Sequence, residues 1–546
     1  MEPDEIFLDS KNLQNFNRQQ FEGRIEKPIP KKTINFLGAF FILIILIFGA
    51  RLTYLQIQNG DTYRKRSENN ILEKVNIFTE RGIIYDRNKI ELAWNKKTED
   101  LSSIRTYLSP GLSHVLGYVS YPAKDSTGNY WQNEFIGKDG LEKEYNDEIK
   151  GENGSKIIEI DAKGITHSEN IINTPKMGID LTTSIDSRIQ TELFTLIKNL
   201  SESNGFTGGA GVIMDAQNGE IITSTSFPEY NSEILSLGED ATKINGYLTD
   251  KRKPFLDRTV SGLYTPGSIV KPFFGLGALA EGVIDQYKKI LSTGSISIPN
   301  PYFPDQKTVF KDWRANGWTD MAEALAVSSD VYFYEIGGGY ENQKGLGILN
   351  IGKYAKLFGF GDKTGVDLPN ETEGIIPSPE WKAANFNGDA WRIGDTYHTA
   401  IGQYGFQVTP IEMARAVSAI ANNGKLLTPH FILGDIEKEN QFSMINLPKE
   451  YFDVIHQGMR QAVTSGTATS LNVPYVQVAV KTGTAQLGGP KNKVNSWVIG
   501  FLPYENPKYA FAITMESGPT TNSVSASTVM RELLDWMSIN TPEYFK

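Results

Sequence analysis

The stretch GLYTPGSIVKPFFGLGALA, residues 262–280, reads as a Pro-Gly turn feeding an apolar helix, with Ser268 and Lys271 at the point of entry. Three residues apart on a helix, the two side chains share a face one turn apart, so the amine can take the hydroxyl proton. A helix N-terminus also aims backbone N–H groups and the positive end of its dipole at developing negative charge. Serine and lysine are common enough for chance to supply such a tetrad, yet Ser268 is the only serine here with a lysine three residues on.

Two further elements lie downstream. Ser328-Ser329-Asp330 follows the helical EALAV and precedes VYFYEI, and Lys481-Thr482-Gly483 with Thr484 follows the strand-like VQVAV, 476–480. In the second, glycine on an edge strand lets a substrate backbone approach, lysine brings positive charge, and the hydroxyls of Thr482 and Thr484 suit a carboxylate. Neither pattern is specific alone. Ser-x-Asn/Asp recurs at Ser10, Ser67, Ser168, Ser184 and Ser538, and Lys363-Thr364-Gly365 repeats the triplet in what reads as a loop. Order and spacing carry the information: Ser-x-x-Lys, Ser-x-Asp and Lys-Thr-Gly follow one another at roughly 60 and then 150 residues, as in penicillin-binding and β-lactamase sites.

Composition narrows the remaining classes. The 546 residues, 40% of them hydrophobic, suffice for two or three domains with a sizeable core. A net charge of -10 lacks the basic footprint of a nucleic-acid binder. Without cysteine, thiolate catalysis, disulfides and sulfur-built zinc sites are excluded. The five histidines, His114, His167, His398, His430 and His456, have no partner four residues away, so isolated surface or core histidines are expected, with no metal and no cofactor.

The uncharged run INFLGAFFILIILIFGA, 34–50, has the length of a short membrane-spanning helix, with a cleaved signal peptide as the alternative. Lysines flank it on one side and Arg64, Lys65 and Arg66 follow on the other, so charge alone leaves orientation open. The chain divides into a tail, 1–33, disordered as far as Pro30 and cytoplasmic if the chemistry lies outside the cell, an anchor, 34–52, an irregular β-rich pedestal, 53–177, and a catalytic domain, 178–546, where helices alternate with strands. Strands gathered near the C-terminus suggest an antiparallel sheet flanked by helices, an α+β fold.

These motifs, with SSDVYFYEIG (328–337), AIGQYGFQVTPIEMA (400–414), AVKTGTAQ (479–486), TERGIIYDRNKIELAWN (79–95) and GLEKEYNDEIKG (140–151), resemble class B penicillin-binding proteins from the anchor to about residue 530. Asp330, where septal members usually carry Asn, resembles the elongation type. The resemblance implies a bacterial cell-membrane protein, single-pass, with its transpeptidase domain outside the cytoplasm, cross-linking peptidoglycan stem peptides ending in D-Ala-D-Ala for elongation and cell shape. It implies Ser268 as nucleophile, Lys271 as its base, Ser328 as proton relay, Asp330 and Lys481 as charged partners, and Thr482, Gly483 and Thr484 as substrate contacts. The oxyanion would lie between the N–H groups of Ser268 and Thr484, and Lys481 would lower the proton affinity of Lys271. β-Lactams would inhibit, and a polytopic membrane glycosyltransferase and elongation-complex proteins would be partners. Two departures stand out: the link from Asn95 to Arg105 is short where relatives insert a head subdomain, and the cysteine of some relatives' zinc sites is missing. A septal transpeptidase, a D,D-carboxypeptidase, a β-lactamase and a non-catalytic penicillin sensor remain as alternatives; a sensor would also need an output module, for which a tail of about 30 residues is small.

Overall fold

The computed structural model describes residues 30–97, 103–160, 166–300, 303, 305–488 and 493–546. The expected tail lies outside them up to residue 29, as does most of the short link between Asn95 and Arg105. The chain forms two compact units, residues up to 76 with 155–173, and residues 77–154 with 174–546.

In the first unit, helix α1 (Lys31–Thr53) starts after Pro30 and runs on through a wider turn to Gln58. Its phenylalanines, leucines and isoleucines stand open, and the helix is long and apolar enough to cross a membrane. Strands β1 (Leu72–Ile77), β2 (Gly154–Ile160) and β3 (Thr166–Asn173) make a three-stranded sheet in that order.

The second unit opens on a small sheet of Leu181–Thr182, Ile84–Tyr85, Glu91–Lys96 and Ile104–Tyr107. Beside it Glu142 is fully buried between Arg81 at 2.5 Å and Arg105 at 2.7 Å. Burial pushes its carboxyl up, but the two guanidiniums outweigh that and hold it below the usual carboxylate range. This ion triad ties together the two family-like stretches, 79–95 and 140–151.

Catalytic architecture is set by a five-stranded antiparallel sheet from β4 (Gly208–Asp215), β5 (Ile221–Phe227), β6 (Ala479–Leu487), β7 (Lys493–Leu502) and β8 (Tyr509–Pro519), in the order β5-β4-β8-β7-β6. Strand side chains alternate between faces, and each strand serves two cores. Ile213, Val498, Phe511, Ile513 and Met515 pack with Leu193 and Ile197 of α2 (Ser187–Asn204) and Leu533 and Leu534 of α8 (Ala526–Asn540). Val212, Trp497, Ile499, Ala510 and Ala512 join the other core, with α3 (Lys271–Ala280) and α6 (Pro410–Ala421). On β8 the large side chains face α2 and α8 while the alanines let α6 lie close. α2 begins with the Asp186 side chain accepting from Arg188 N–H and ends at Gly205 in the left-handed region.

Candidate active site

A short 3-10 turn, Gly267–Val270, carries Ser268 into α3. Proline at 272 has no N–H to reach back to the Ser268 carbonyl, which instead accepts from Lys271 N–H three residues on, so the entry is 3-10 where plain α-helix was expected. The turn is clamped on both sides. Gly267, at φ +61°, donates to Gly402 O at 2.9 Å, and Trp497 Nε1 of β7 donates to Thr265 O at 3.1 Å. A Cβ on Gly402 would meet Gly267 O at 2.2 Å, so only glycine permits this approach. Ser268 is thereby left half-buried at the wall of an open cleft of about 900 Å³.

Ser328-Ser329-Asp330 is a helix-to-helix junction. Helix α4 (Met321–Val327) starts with a capping box of Asp320 and Glu323 and stops at Ser328, held in the left-handed region at φ 57°, ψ 42°. Ser329 then caps α5 (Asp330–Gly338), accepting from Tyr332 N–H. Asp312 fixes the junction, its Oδ2 accepting from Ser329 Oγ at 2.7 Å and Val331 N at 3.1 Å. Asp330 thus sits in the first turn of α5, where the helix dipole favours a carboxylate.

Two wholly buried lysines meet at this junction. Lys271 Nζ donates to Asp330 Oδ1 at 2.6 Å and Ser328 O at 2.9 Å, with a longer contact of 3.4 Å to Ser328 Oγ. Lys481 Nζ lies 2.8 Å from Ser328 Oγ and donates to Thr482 O at 2.9 Å. One carboxylate therefore serves two amines. Burial first, and the Lys271 charge second, hold Lys481 well below the ordinary lysine value, with Asp330 opposing. Asp330 pairs directly with Lys271, while Lys481 reaches the junction through Ser328 Oγ. In this state Ser268 Oγ makes no hydrogen bond among the described residues.

Strand β6 pairs only with β7, leaving its other edge toward the Ser268 turn. At Gly483 a Cβ would stand 2.8 Å from Ile269 Cγ2 and 2.9 Å from Pro266 O. The close approach expected there of a substrate is made by the protein's own nucleophile-bearing turn. Thr482 Oγ1 lies 2.8 Å from Thr467 Oγ1, while Thr484 lines the cleft. The second triplet, as expected, is a loop: Lys363 is exposed, and Thr364 donates to Glu371.

Sequence reasoning missed Asp312 and the far wall of the cleft, formed by Phe310, His398, Gln403 and Tyr404. A signal for that wall was present in Gly402 and Gly405, both at positive φ in AIGQYG. Asp312 carries no local signature. Nor is every histidine isolated: His430 is buried with Glu220 and Glu439, their ligand atoms within 4.8 Å of one another.

Against known proteins, residues 209–535 match the model described as the penicillin binding protein transpeptidase domain, and residues 98–183 match the penicillin-binding protein dimerisation domain. The peptidoglycan D,D-transpeptidase MrdA of Acinetobacter baumannii is 28% identical, over 94% of this chain and 88% of that protein. Among solved structures, Pseudomonas aeruginosa PBP2 in complex with WCK 5153 superposes with a TM-score of 0.72 at 28% identity, covering 87% of this chain and 98% of that one. The complex of Helicobacter pylori PBP2 with MreC gives 0.70 at 28% identity, covering 86% and 99%.

Proposed function

The chain belongs to the penicillin-binding protein transpeptidase family, and from that membership we propose that it is a class B, elongation-type peptidoglycan D,D-transpeptidase, a serine acyltransferase acting through Ser268. The observation that carries this reading is the line Lys271–Ser328–Lys481, three proton-bearing groups in hydrogen-bond sequence beside the Ser268 turn.

Lys271 Nζ donates to Asp330 and to Ser328 O, so it must give up a proton before it can take one from Ser268. Ser328 Oγ provides the route: it accepts from Lys481 at 2.8 Å and from Lys271 at 3.4 Å, so it bridges the two amines, and burial leaves Lys481 the readier to be neutral. Arrival of a substrate carboxylate at Lys481, Thr482 and Thr484 favours the charged form of Lys481, drawing the proton across and freeing Lys271. Lys271 then takes the Ser268 proton, and Oγ bonds to the penultimate D-Ala carbonyl carbon. The oxyanion is met by the N–H groups of Ser268 and Thr484. As the peptide C–N bond breaks, D-Ala leaves with a proton returned through Ser328. An acceptor amine from a second stem peptide attacks the ester and releases Ser268.

In this reading residues 53–177 form the pedestal and 178–546 the transpeptidase domain, the span near Lys31–Gln58 anchors the chain in the cell membrane, and catalysis occurs outside the cytoplasm. Elongation-complex proteins are proposed partners, supported by the MreC-bound relative, and a polytopic glycosyltransferase is proposed beside them from family membership alone. Fluorescent penicillin tests the site. The wild type should label at Ser268 by peptide mapping and Ser268→Ala should not; an adduct elsewhere would sink the assignment. Paired stem peptides test the acceptor: cross-linked dimers are expected, whereas trimmed monomers alone would make the enzyme a carboxypeptidase.

A further inference from the structure

Glu220, His430 and Glu439 arrive from three segments: the turn into β5, the stretch after Thr428, and the end of the short helix Ile436–Glu439. Backbone hydrogen bonds hold the first two together, Ile221 N–H donating to His430 O at 2.9 Å and His430 N–H to Gly219 O at 3.1 Å. The imidazole is fully buried, and its Nδ1 lies 3.1 Å from Thr428 O, which can only accept. Nδ1 therefore carries a hydrogen toward that carbonyl, and Nε2 is the nitrogen left to meet a ligand. Nε2 has no hydrogen-bond partner among the described residues, and leaving a buried polar atom unpartnered is unfavourable. A ring nitrogen of His430 and one carboxylate oxygen each of Glu220 and Glu439 lie within 4.8 Å of one another.

We propose that His430 Nε2 and one oxygen each of Glu220 and Glu439 bind a first-row divalent metal ion, zinc before others. One imidazole nitrogen with two carboxylates suits zinc, whereas calcium and magnesium seek six or more oxygens. An imidazole whose other nitrogen donates to a backbone carbonyl is the outer-shell arrangement of metal-bound histidines. Tetrahedral ligands on zinc stand about 3.3 Å apart, so the three side chains would draw together on binding, Glu439, the least buried of them, having the most freedom to move. Glu220 Oε1 also accepts from Gly434 N–H at 3.0 Å, and Arg87 lies 3.5 Å from its Oε2, leaving net negative charge once Glu439 is counted. The ion would tie the β4–β5 hairpin to the 430–439 segment.

The test uses full-length protein without a histidine tag, purified in detergent, stripped with chelator, incubated with zinc chloride and desalted. Wild type is expected to retain one zinc per chain and to unfold at a higher temperature with zinc than without. Glu439→Gln should unfold like metal-free wild type and lose zinc affinity by more than about tenfold, the loss that even an outer-shell change produces. Glu220→Gln, whose side-chain oxygen can still accept from Gly434, provides a second variant with the same expectation. A wild type that emerges free of zinc, or variants that keep it in full, overturns the proposal.

Discussion

The two Lys-Thr-Gly triplets spell the same letters and obey different physics. Lys481 is wholly buried on an edge strand, one hydroxyl away from a second lysine, and Gly483 sits against Ile269 and Pro266. Lys363 is exposed, and Gly365, at φ +79°, has only Thr428 Cγ2 nearby, at 3.6 Å. One triplet shapes a reaction site while the other shapes a turn. The difference lies in what the fold brings alongside.

The largest effect separating them should come from the lysines. Lys481→Ala is expected to slow fluorescent-penicillin acylation by about 10²–10⁴-fold, and Lys363→Ala to leave it at the wild-type rate; equal effects would break the contrast. Alanine at the glycines sharpens it. Gly483→Ala has no room beside Pro266 O, so urea unfolding should report a loss of about 1–3 kcal/mol together with slower labelling. Gly365→Ala should lose about 1–2 kcal/mol through its left-handed backbone alone, with labelling intact. Acidity comes next. Labelling that depends on the free amine of Lys481 is lost as pH falls through a transition well below the ordinary lysine value of 10.5. Because the Asp330 charge favours the ammonium, Asp330→Asn should move that transition to still lower pH, and a shift upward would contradict the assignment. The smallest effect is Thr364→Val, which removes the hydrogen bond to Glu371 and should cost about 1 kcal/mol by urea unfolding without slowing labelling.

What could be read in advance was whatever neighbours in sequence decide. Ser268 and Lys271 sit one turn apart because the chain between them is helical, and the capping box of Asp320 and Glu323 announces α4 in its own letters. The strand expected at 476–480 begins instead at Ala479, because the carbonyls of Gln477 and Val478 are taken by Tyr504 N–H and Arg460 outside the ladder, which puts Lys481 inside the strand. Long-range partners were hidden. Arg81 and Glu142 stand 61 residues apart, Asp312 reaches its junction from a separate segment, and the ring of His430 meets carboxylates from two others. Nothing periodic marks such pairings.

The alanine face of β8 couples α6 to the Ser268 turn. Ala510 and Ala512 are fully buried in the core shared with α6, so an added methylene there must push that helix. The segment entering α6 runs from Gly402, bonded to the Ser268 turn, through Val408, which accepts from Tyr264 N–H at 3.0 Å. A volume change at these alanines, which do not line the cleft, can therefore be felt at the Ser268 turn.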